Sequence, residues 1–192
     1  MEKKGERTKK RIAAMSRTVF IKKGFSKVTM QDICDAAGMS RGGIYRHFSS
    51  TSEIFMFILN DEYEHAVTAL RVAVARKITT DRIFDRFLKY RIEQIRNVEE
   101  SIDNVTGEFI RVCPEGKAYM AKIVTGSVEI IERMIRLGER EGYFKLRDPK
   151  GVARNILWML EGMSRHNAIS RVTDEEVSSQ LYLIDQMLGR AR

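Results

Sequence analysis

Cysteine is scarce in this 192-residue chain, which contains only Cys34 and Cys113. The two cysteines form no Cys-x-x-Cys pair, and their number does not suit a secreted disulfide framework. No apolar run approaches the ~20 residues that a membrane-spanning helix needs, and the lysine-rich start is not followed by the apolar segment of an export signal. We therefore expect a protein of the reducing cytoplasm that has no membrane partner.

Histidine is also scarce, and His47, His65 and His166 fall in three separate predicted helices without any His-x-x-x-His or Glu-x-x-His motif. A metal site or a nucleophilic triad needs its side chains to be clustered. A glycine-rich phosphate loop needs a preceding strand, and the sequence has no alternating pattern of useful length. The sequence therefore predicts no catalytic residue, no metal and no cofactor.

Proline occurs only at Pro114 and Pro149, both at positions where a helix is expected to begin. Apolar residues recur at helical spacing along most of the chain, and no repeat or low-complexity tract interrupts them. We predict an all-α protein of about nine helices.

The most informative segment is residues 29–48, which has the pattern of two short helices joined by a tight turn. Thr29 is expected to cap the first helix, because Asp32 follows three residues later in a capping-box arrangement. Gly38 is expected to end that helix, since glycine readily adopts the left-handed conformation of a C-cap.

The second helix of this segment is expected to begin at the cap Ser40. Ile44 and Phe48 are four residues apart and therefore share the face that packs inward. The outward face then carries Arg41, Tyr45, Arg46 and His47. This is the pattern of a helix-turn-helix whose exposed face can meet DNA.

The formal net charge of +8 is concentrated in the same part of the chain. Residues 1–50 contain 12 Lys+Arg against 4 Asp+Glu, and residues 51–192 contain 22 of each. A localised positive excess favours a partner with a phosphate backbone. It also predicts a domain boundary near residue 50.

The turn Ala36-Ala37-Gly38 and the run Ile44-Tyr45-Arg46-His47-Phe48 give the chain its resemblance to the TetR family of bacterial transcriptional regulators (TetR/AcrR type), over residues 8–58. The resemblance implies an N-terminal three-helix helix-turn-helix DNA-binding domain over residues 1–50. It also implies a C-terminal helical bundle over residues 51–192 for effector binding and dimerisation. The function implied is a sequence-specific regulator, a repressor that a small-molecule effector releases from a palindromic double-stranded DNA operator.

Carried over by resemblance, the DNA-binding residues are Thr29, Ser40, Arg41, Gly42, Gly43, Tyr45, Arg46, His47, Thr51 and Lys9. Arg41 is expected to read guanine through its O6 and N7 atoms. Thr51 stands where family members often carry a lysine, so it can offer a hydrogen bond but no charge. Lys9 is expected to add a phosphate contact whose loss weakens all DNA binding evenly.

The pair Gly42-Gly43 departs from the family pattern. Each glycine costs roughly 1 kcal/mol relative to alanine within a helix, and neither offers a side chain to a base. Two interpretations stay open for this pair. It is either a weak first turn of the helix or a place where the backbone approaches the duplex closely.

Two apolar stripes near the C-terminus have spacings that alternate between three and four residues. The stripe residues are Val152, Ile156, Leu160, Met163, Val177, Leu181, Ile184 and Leu188. By resemblance they are expected to form a four-helix interface in a homodimer, which would set palindromic half-sites about 34 Å apart. The alternative is that these stripes are intramolecular core.

The middle helices, together with one tryptophan of the penultimate helix, contain aromatic, cysteine and methionine side chains that are candidates for an effector pocket. The candidates are Phe87, Tyr90, Phe109, Cys113, Met120 and Trp158. Side chains of these types at helical spacing also occur in plain cores. The alternative function is an architectural or protein-interaction DNA-binding factor that responds to no effector.

Overall fold

The computed structural model describes residues 4–97 and 101–190. Within these ranges the chain forms nine helices and no strand, which confirms the predicted all-α class. The helices are α1 (Lys4–Lys23), α2 (Met30–Ala37), α3 (Arg41–Tyr45), α4 (Thr51–Ala75), α5 (Thr80–Arg96), α6 (Asp103–Val112), α7 (Gly116–Arg140), α8 (Pro149–Asn167) and α9 (Asp174–Leu188). None of these helices is long and apolar enough to cross a membrane.

Local sequence signals account for several helix ends. Thr29 and Asp32 form a reciprocal capping box at the start of α2, and Gly38 ends this helix with φ +61°. Thr173 caps α9 in the same way. Pro149 is the first residue of α8, where its missing N–H leaves no helical hydrogen bond unmade.

The contacts divide the chain into two units, and the first comprises α1 to α3, the first half of α4, α6 and the start of α7. Its core is an aromatic cluster in which the rings of Phe25 and Phe55 lie 5.2 Å apart, and each lies 5.0 Å or less from the ring of Phe109 on α6. These distances are those of edge-on and tilted aromatic pairs. The first unit therefore takes in more of the chain than the basic segment 1–50 that the charge distribution marks off.

A carboxylate also joins α6 to the turn between α1 and α2. Glu108 Oε2 accepts a hydrogen bond from the backbone N–H of Phe25 at 2.6 Å, and Glu108 Oε1 accepts one from the Ser26 hydroxyl. A Cβ at Gly24, whose φ is +77°, would lie 2.8 Å from Glu108 Oε2. Glycine at position 24 therefore permits both the backbone conformation and the close approach of the carboxylate.

The hydrogen bonds to Glu108 also affect its titration. The Ser26 hydroxyl is the main cause that lowers the pKa of Glu108, and the N–H groups of Ser26 and Phe25 contribute in the same direction. Each of these bonds favours the charged carboxylate over its protonated form. The hydrogen bonds that join Glu108 to the turn are therefore fully present above the pKa of an ordinary glutamate, where the carboxylate is charged.

The second unit comprises the rest of α4, α5, most of α7, α8 and α9. Its core contains fully buried side chains from α5, α7, α8 and α9, among them Phe84, Ile135, Ile156 and Ile184. Arg190, just after α9, forms ion pairs with Asp81 and Asp85 of α5 at 2.5 and 2.8 Å. These ion pairs tie the C-terminal end of the described chain to the start of α5.

Candidate nucleic-acid interface

Helix α3, the second helix of the helix-turn-helix, is anchored from its inner face. Ile44 and Phe48 are 0% and 1% exposed, as the sequence pattern predicts. The side chain of Ser40 caps the helix by accepting a hydrogen bond from the Gly43 N–H at 3.2 Å. The helix ends at Tyr45, earlier than expected, and residues 46 and 47 form a turn.

The outer face of this segment carries the predicted DNA-facing side chains. Arg41, Tyr45 and Arg46 are exposed, and His47 is half-buried. The guanidinium carbon of Arg41 lies 6.0 Å from the centre of the Tyr45 ring. This cation–π contact restricts the arginine before any ligand arrives, because both side chains lie one turn apart on α3.

The two glycines of α3 have different surroundings. A Cβ at Gly43 would lie 3.3 Å from both Met39 Cε and Ser40 Oγ, so this position is crowded by its own chain. A Cβ at Gly42 would meet nothing within 4 Å. Gly43 therefore has a packing reason to lack a side chain, whereas the fold gives no such reason for Gly42.

Thr29, a predicted phosphate contact, is engaged within the chain. Its hydroxyl donates to Asp32 Oδ2 at 2.9 Å and accepts from the Asp32 N–H at 3.2 Å. Lys23 binds Asp32 Oδ1 at 2.6 Å and, with the hydrogen bonds from Thr29, lowers the pKa of Asp32 to about 2. A contact between the Thr29 hydroxyl and a phosphate would have to compete with this network.

The start of α4 is capped by Ser50, and the residue before it binds a carboxylate of the same helix. Ser50 accepts a hydrogen bond from the Glu53 N–H at 3.1 Å, as the side chain of an N-cap residue does. The Glu53 carboxylate reaches back to the N–H of Ser49 at 2.7 Å rather than to Ser50. Thr51 is half-buried at the first position of α4.

Lys9 of α1 lies beside aromatic rings, which the sequence reasoning missed. Its ammonium nitrogen is 5.3 Å from the centre of the Phe48 ring and 5.9 Å from that of Phe57. The two rings make an edge-on pair at 5.4 Å. No local signal predicts this arrangement, because the three residues lie on different segments.

Other cations of α1 pair with acids of α4. Arg17 binds Glu62 through Nε at 3.1 Å and Nη2 at 3.0 Å, and Lys10 lies 4.0 Å from Asp61. These exposed or partly exposed pairs contribute little to stability. They do reduce the positive charge that α1 can offer to a phosphate backbone.

Most residues of the two C-terminal stripes lie in the core of their own chain, which is the alternative that the sequence left open. Six of their residues are buried in the second unit: Ile156, Leu160, Met163, Val177, Ile184 and Leu188. Val152 and Leu181 pack against the same core. A side chain buried within its own chain has no surface left for a second copy, so the assignment of these six residues to a dimer interface is corrected to intramolecular core. Val152 and Leu181 are half-buried and keep part of their surface.

Helices α8 and α9 leave a different apolar set on the surface. Trp158, Tyr182 and Leu183 are 56%, 62% and 45% exposed. The guanidinium carbon of Arg154 lies 6.0 Å from the centre of the Trp158 ring. We call Trp158, Tyr182 and Leu183 the outer α8–α9 face.

The six predicted pocket residues do not form one group. Phe109, Cys113 and Met120 belong to the core of the first unit, and Phe87 packs against the core of the second. Tyr90 and Trp158 are exposed on the surface of the second unit, so they line no enclosed cavity there. Periodicity indicates that such residues lie on a helix face, but it does not say what that face meets.

The second unit has two open surface cavities, of about 430 and 350 Å³. Lys77, Glu141 and Tyr143 are among the residues that line the larger one. Met159 and His166 line the smaller one. None of the six predicted pocket residues lines either cavity.

Comparison with known proteins agrees with the helix-turn-helix geometry. The family model described as bacterial regulatory proteins, tetR family, matches residues 12–56. The HTH-type transcriptional regulator YfiR of Bacillus subtilis is 29% identical over 156 residues, which cover 79% of this chain and 76% of YfiR. The chain belongs to the TetR family.

Two further proteins are similar to this TetR-family chain over most of its length. The HTH-type transcriptional repressor KstR2 of Rhodococcus jostii is 24% identical over 144 residues, or 74% of this chain and 70% of KstR2. The crystal structure of reduced NemR from E. coli superposes with a TM-score of 0.76 at 16% identity, covering 96% of this chain and all of that one. The family model thus matches the DNA-binding region, and the NemR superposition shows that the fold is shared along most of the chain.

Proposed function

We propose that this TetR-family chain is a sequence-specific DNA-binding regulator of transcription that acts as a repressor in the cytoplasm. The observation that carries the proposal is the exposed set Arg41, Tyr45 and Arg46 on a helix whose inner face is fixed by buried Ile44 and Phe48. This set lies in the segment that holds the whole positive excess of the chain. Arginine is the side chain best suited to a bidentate contact with guanine in the major groove.

Operator binding can be tested by selection from duplexes of random sequence. Duplexes that the purified protein retains from such a pool should converge on one palindromic sequence. Binding to that sequence should saturate and should exceed binding to a scrambled duplex of the same length and composition at every salt concentration. Equal, salt-quenched binding to both duplexes would contradict the proposal and would favour the architectural alternative.

We propose that the regulator binds this palindrome as a two-fold homodimer through the outer α8–α9 face. Exposed tryptophan and tyrosine side chains are enriched in protein interfaces, because they bury a large apolar area and retain a polar group. A two-fold axis would repeat the recognition helix at a separation of about 34 Å, one turn of the duplex. Sedimentation of the free protein should therefore give the mass of two chains.

Release by a small molecule is the regulatory part of the proposal. This part is supported by the TetR family, of which ligand-responsive repression is typical, and the larger of the two open cavities, about 430 Å³, is a candidate place for a ligand. A screen for compounds that dissociate the selected operator complex tests this part.

The effector acts, in this proposal, by binding more tightly to a conformation that does not fit the operator. A compound that releases operator should therefore bind more weakly to the DNA complex than to the free protein by the same factor. Operator binding that resists every compound in the screen would favour the effector-independent alternative. No catalytic step is part of the proposal.

A further inference from the structure

Lys9 departs from the expected behaviour of a phosphate-binding lysine. The ammonium lies over both Phe48 and Phe57, at 5.3 and 5.9 Å from the ring centres. The side chain is half-buried rather than exposed. A lysine used for phosphate contact gains from a free, hydrated head group, whereas this head group is held against the aromatic faces of its own fold.

The rings under Lys9 belong to the segments that hold the recognition helix. Phe48 is 1% exposed and follows the turn that ends α3, and Phe57 lies in the second turn of α4. Their edge-on contact at 5.4 Å ties the end of the recognition segment to α4. Lys9 adds α1 to this junction, so three segments meet at one side chain.

A carboxylate completes the junction. Glu53 of α4 accepts hydrogen bonds from the Ser49 N–H at 2.7 Å and the Ser49 hydroxyl at 2.8 Å, which fix the chain just after Phe48. The Ser49 N–H is the main cause that lowers the pKa of Glu53, and the Ser49 hydroxyl and the positive charge of Lys9 contribute less in the same direction. The two Ser49 bonds therefore hold the backbone beside the Phe48 ring that Lys9 contacts.

We propose that Lys9 is a positioning residue for DNA recognition, which fixes the α3–α4 turn and with it Arg46 and His47, and that it is not a phosphate ligand. This inference rests on the proposed DNA-binding function and refines it. Lys9 then contributes to the preference for operator over other duplexes. Its place in the basic N-terminal segment alone would suggest a contribution to the affinity for any duplex.

The test compares two variants that each remove one positive charge from α1. Lys9→Met keeps an apolar stem over the rings but loses the ammonium. Arg7→Met is the matched control, because Arg7 is exposed on the same helix and makes no ion pair with the described part of the chain. Binding of each protein to the selected operator and to the scrambled duplex is measured across a salt series.

Lys9→Met should leave the log–log salt slope unchanged, whereas the loss of one phosphate contact lowers its magnitude by about 0.9. Its preference for operator over scrambled duplex should fall by about twofold to fivefold, the range that corresponds to an exposed cation–π contact. Lys9→Arg should restore the preference, since a guanidinium also stacks on aromatic rings.

A slope lowered by about 0.9 in Lys9→Met, with equal losses on both duplexes, would overturn the proposal. Failure of Lys9→Arg to restore the preference would also overturn it. The thermal unfolding midpoint of each variant shows whether its fold is intact. The rescue by Lys9→Arg is measured as the ratio of operator affinity to scrambled-duplex affinity, as for Lys9→Met. The proposed function is judged separately, by whether the unaltered protein prefers the operator.

Discussion

Replacement of Gly42 by alanine separates the two interpretations of the glycine pair. In the free protein a Cβ at this position meets nothing within 4 Å, so the substitution has no steric cost. Alanine in a helix is more stable than glycine by about 0.5–1 kcal/mol, because it loses less backbone entropy on folding. The thermal unfolding midpoint of Gly42→Ala should therefore rise by roughly 1–4 °C for a chain of this size.

The effect on DNA binding should have the opposite sign if the duplex approaches the backbone at Gly42. A methyl group that intrudes into a close-packed contact costs about 1–3 kcal/mol, which corresponds to a loss of roughly fivefold to 150-fold in operator affinity. Fluorescence anisotropy with the selected operator measures this loss directly. A more stable but weaker-binding protein would show that Gly42 is retained for its contact with DNA.

Gly107→Ala supplies the matched control, because a Cβ at this exposed position of α6 also meets nothing within 4 Å. It should raise the unfolding midpoint by a similar amount and leave operator affinity unchanged. If Gly42→Ala gains stability and binds the operator as tightly as the unaltered protein, the close-approach reasoning is wrong. Gly42 would then be only a weak first turn of α3.

Three further predictions concern other parts of the structure. Arg41→Ala should cost about 1–3 kcal/mol on the operator and relax the preference at one base pair, and an even loss on operator and scrambled duplex would refute base reading. Tyr182→Glu should give monomers in sedimentation, because it introduces a charge at the proposed interface, and an intact dimer would exclude the outer α8–α9 face. The Glu108 pKa is lowered in the folded state, so its stabilising effect is present above the pKa of an unfolded glutamate and is lost as pH falls through the folded pKa. Glu108→Gln should therefore unfold at lower urea concentration than the unaltered protein at pH 7, and this difference should shrink under acid conditions; a difference independent of pH would contradict the assignment.

Local signals in the sequence predicted the helix ends and the buried face of residues 29–48. The cap Thr29 with Asp32, the stop at Gly38 and the buried pair Ile44 and Phe48 all depend on residues within a few positions of one another. Such short-range rules describe hydrogen bonds and helix faces that the segment makes largely by itself. The fold class followed for the same reason.

Features that depend on distant contacts were not predictable in this way. The stripe containing Ile156 and Leu160 indicated burial, but periodicity cannot distinguish a neighbour in the same chain from one in a second copy. The rings beneath Lys9 and the backbone donors that bind Glu108 come from segments far away in sequence. Lys9 and Glu108 each carry a charge whose partner only the fold reveals.

Helix α6 shares one core with α1 to α3, and this limits how parts of such a regulator can be exchanged with another. Phe109 packs against both Phe25 and Phe55, and Glu108 binds the turn after α1. A chimera that imports only residues 1–50 from another regulator would set these two side chains against a foreign surface. A graft that also carries residues 101–123 would keep the contacts between the two segments. Exchange of exposed side chains on α3 leaves this core unchanged, so it is a simpler route to a new operator specificity than replacement of residues 1–50 as a block.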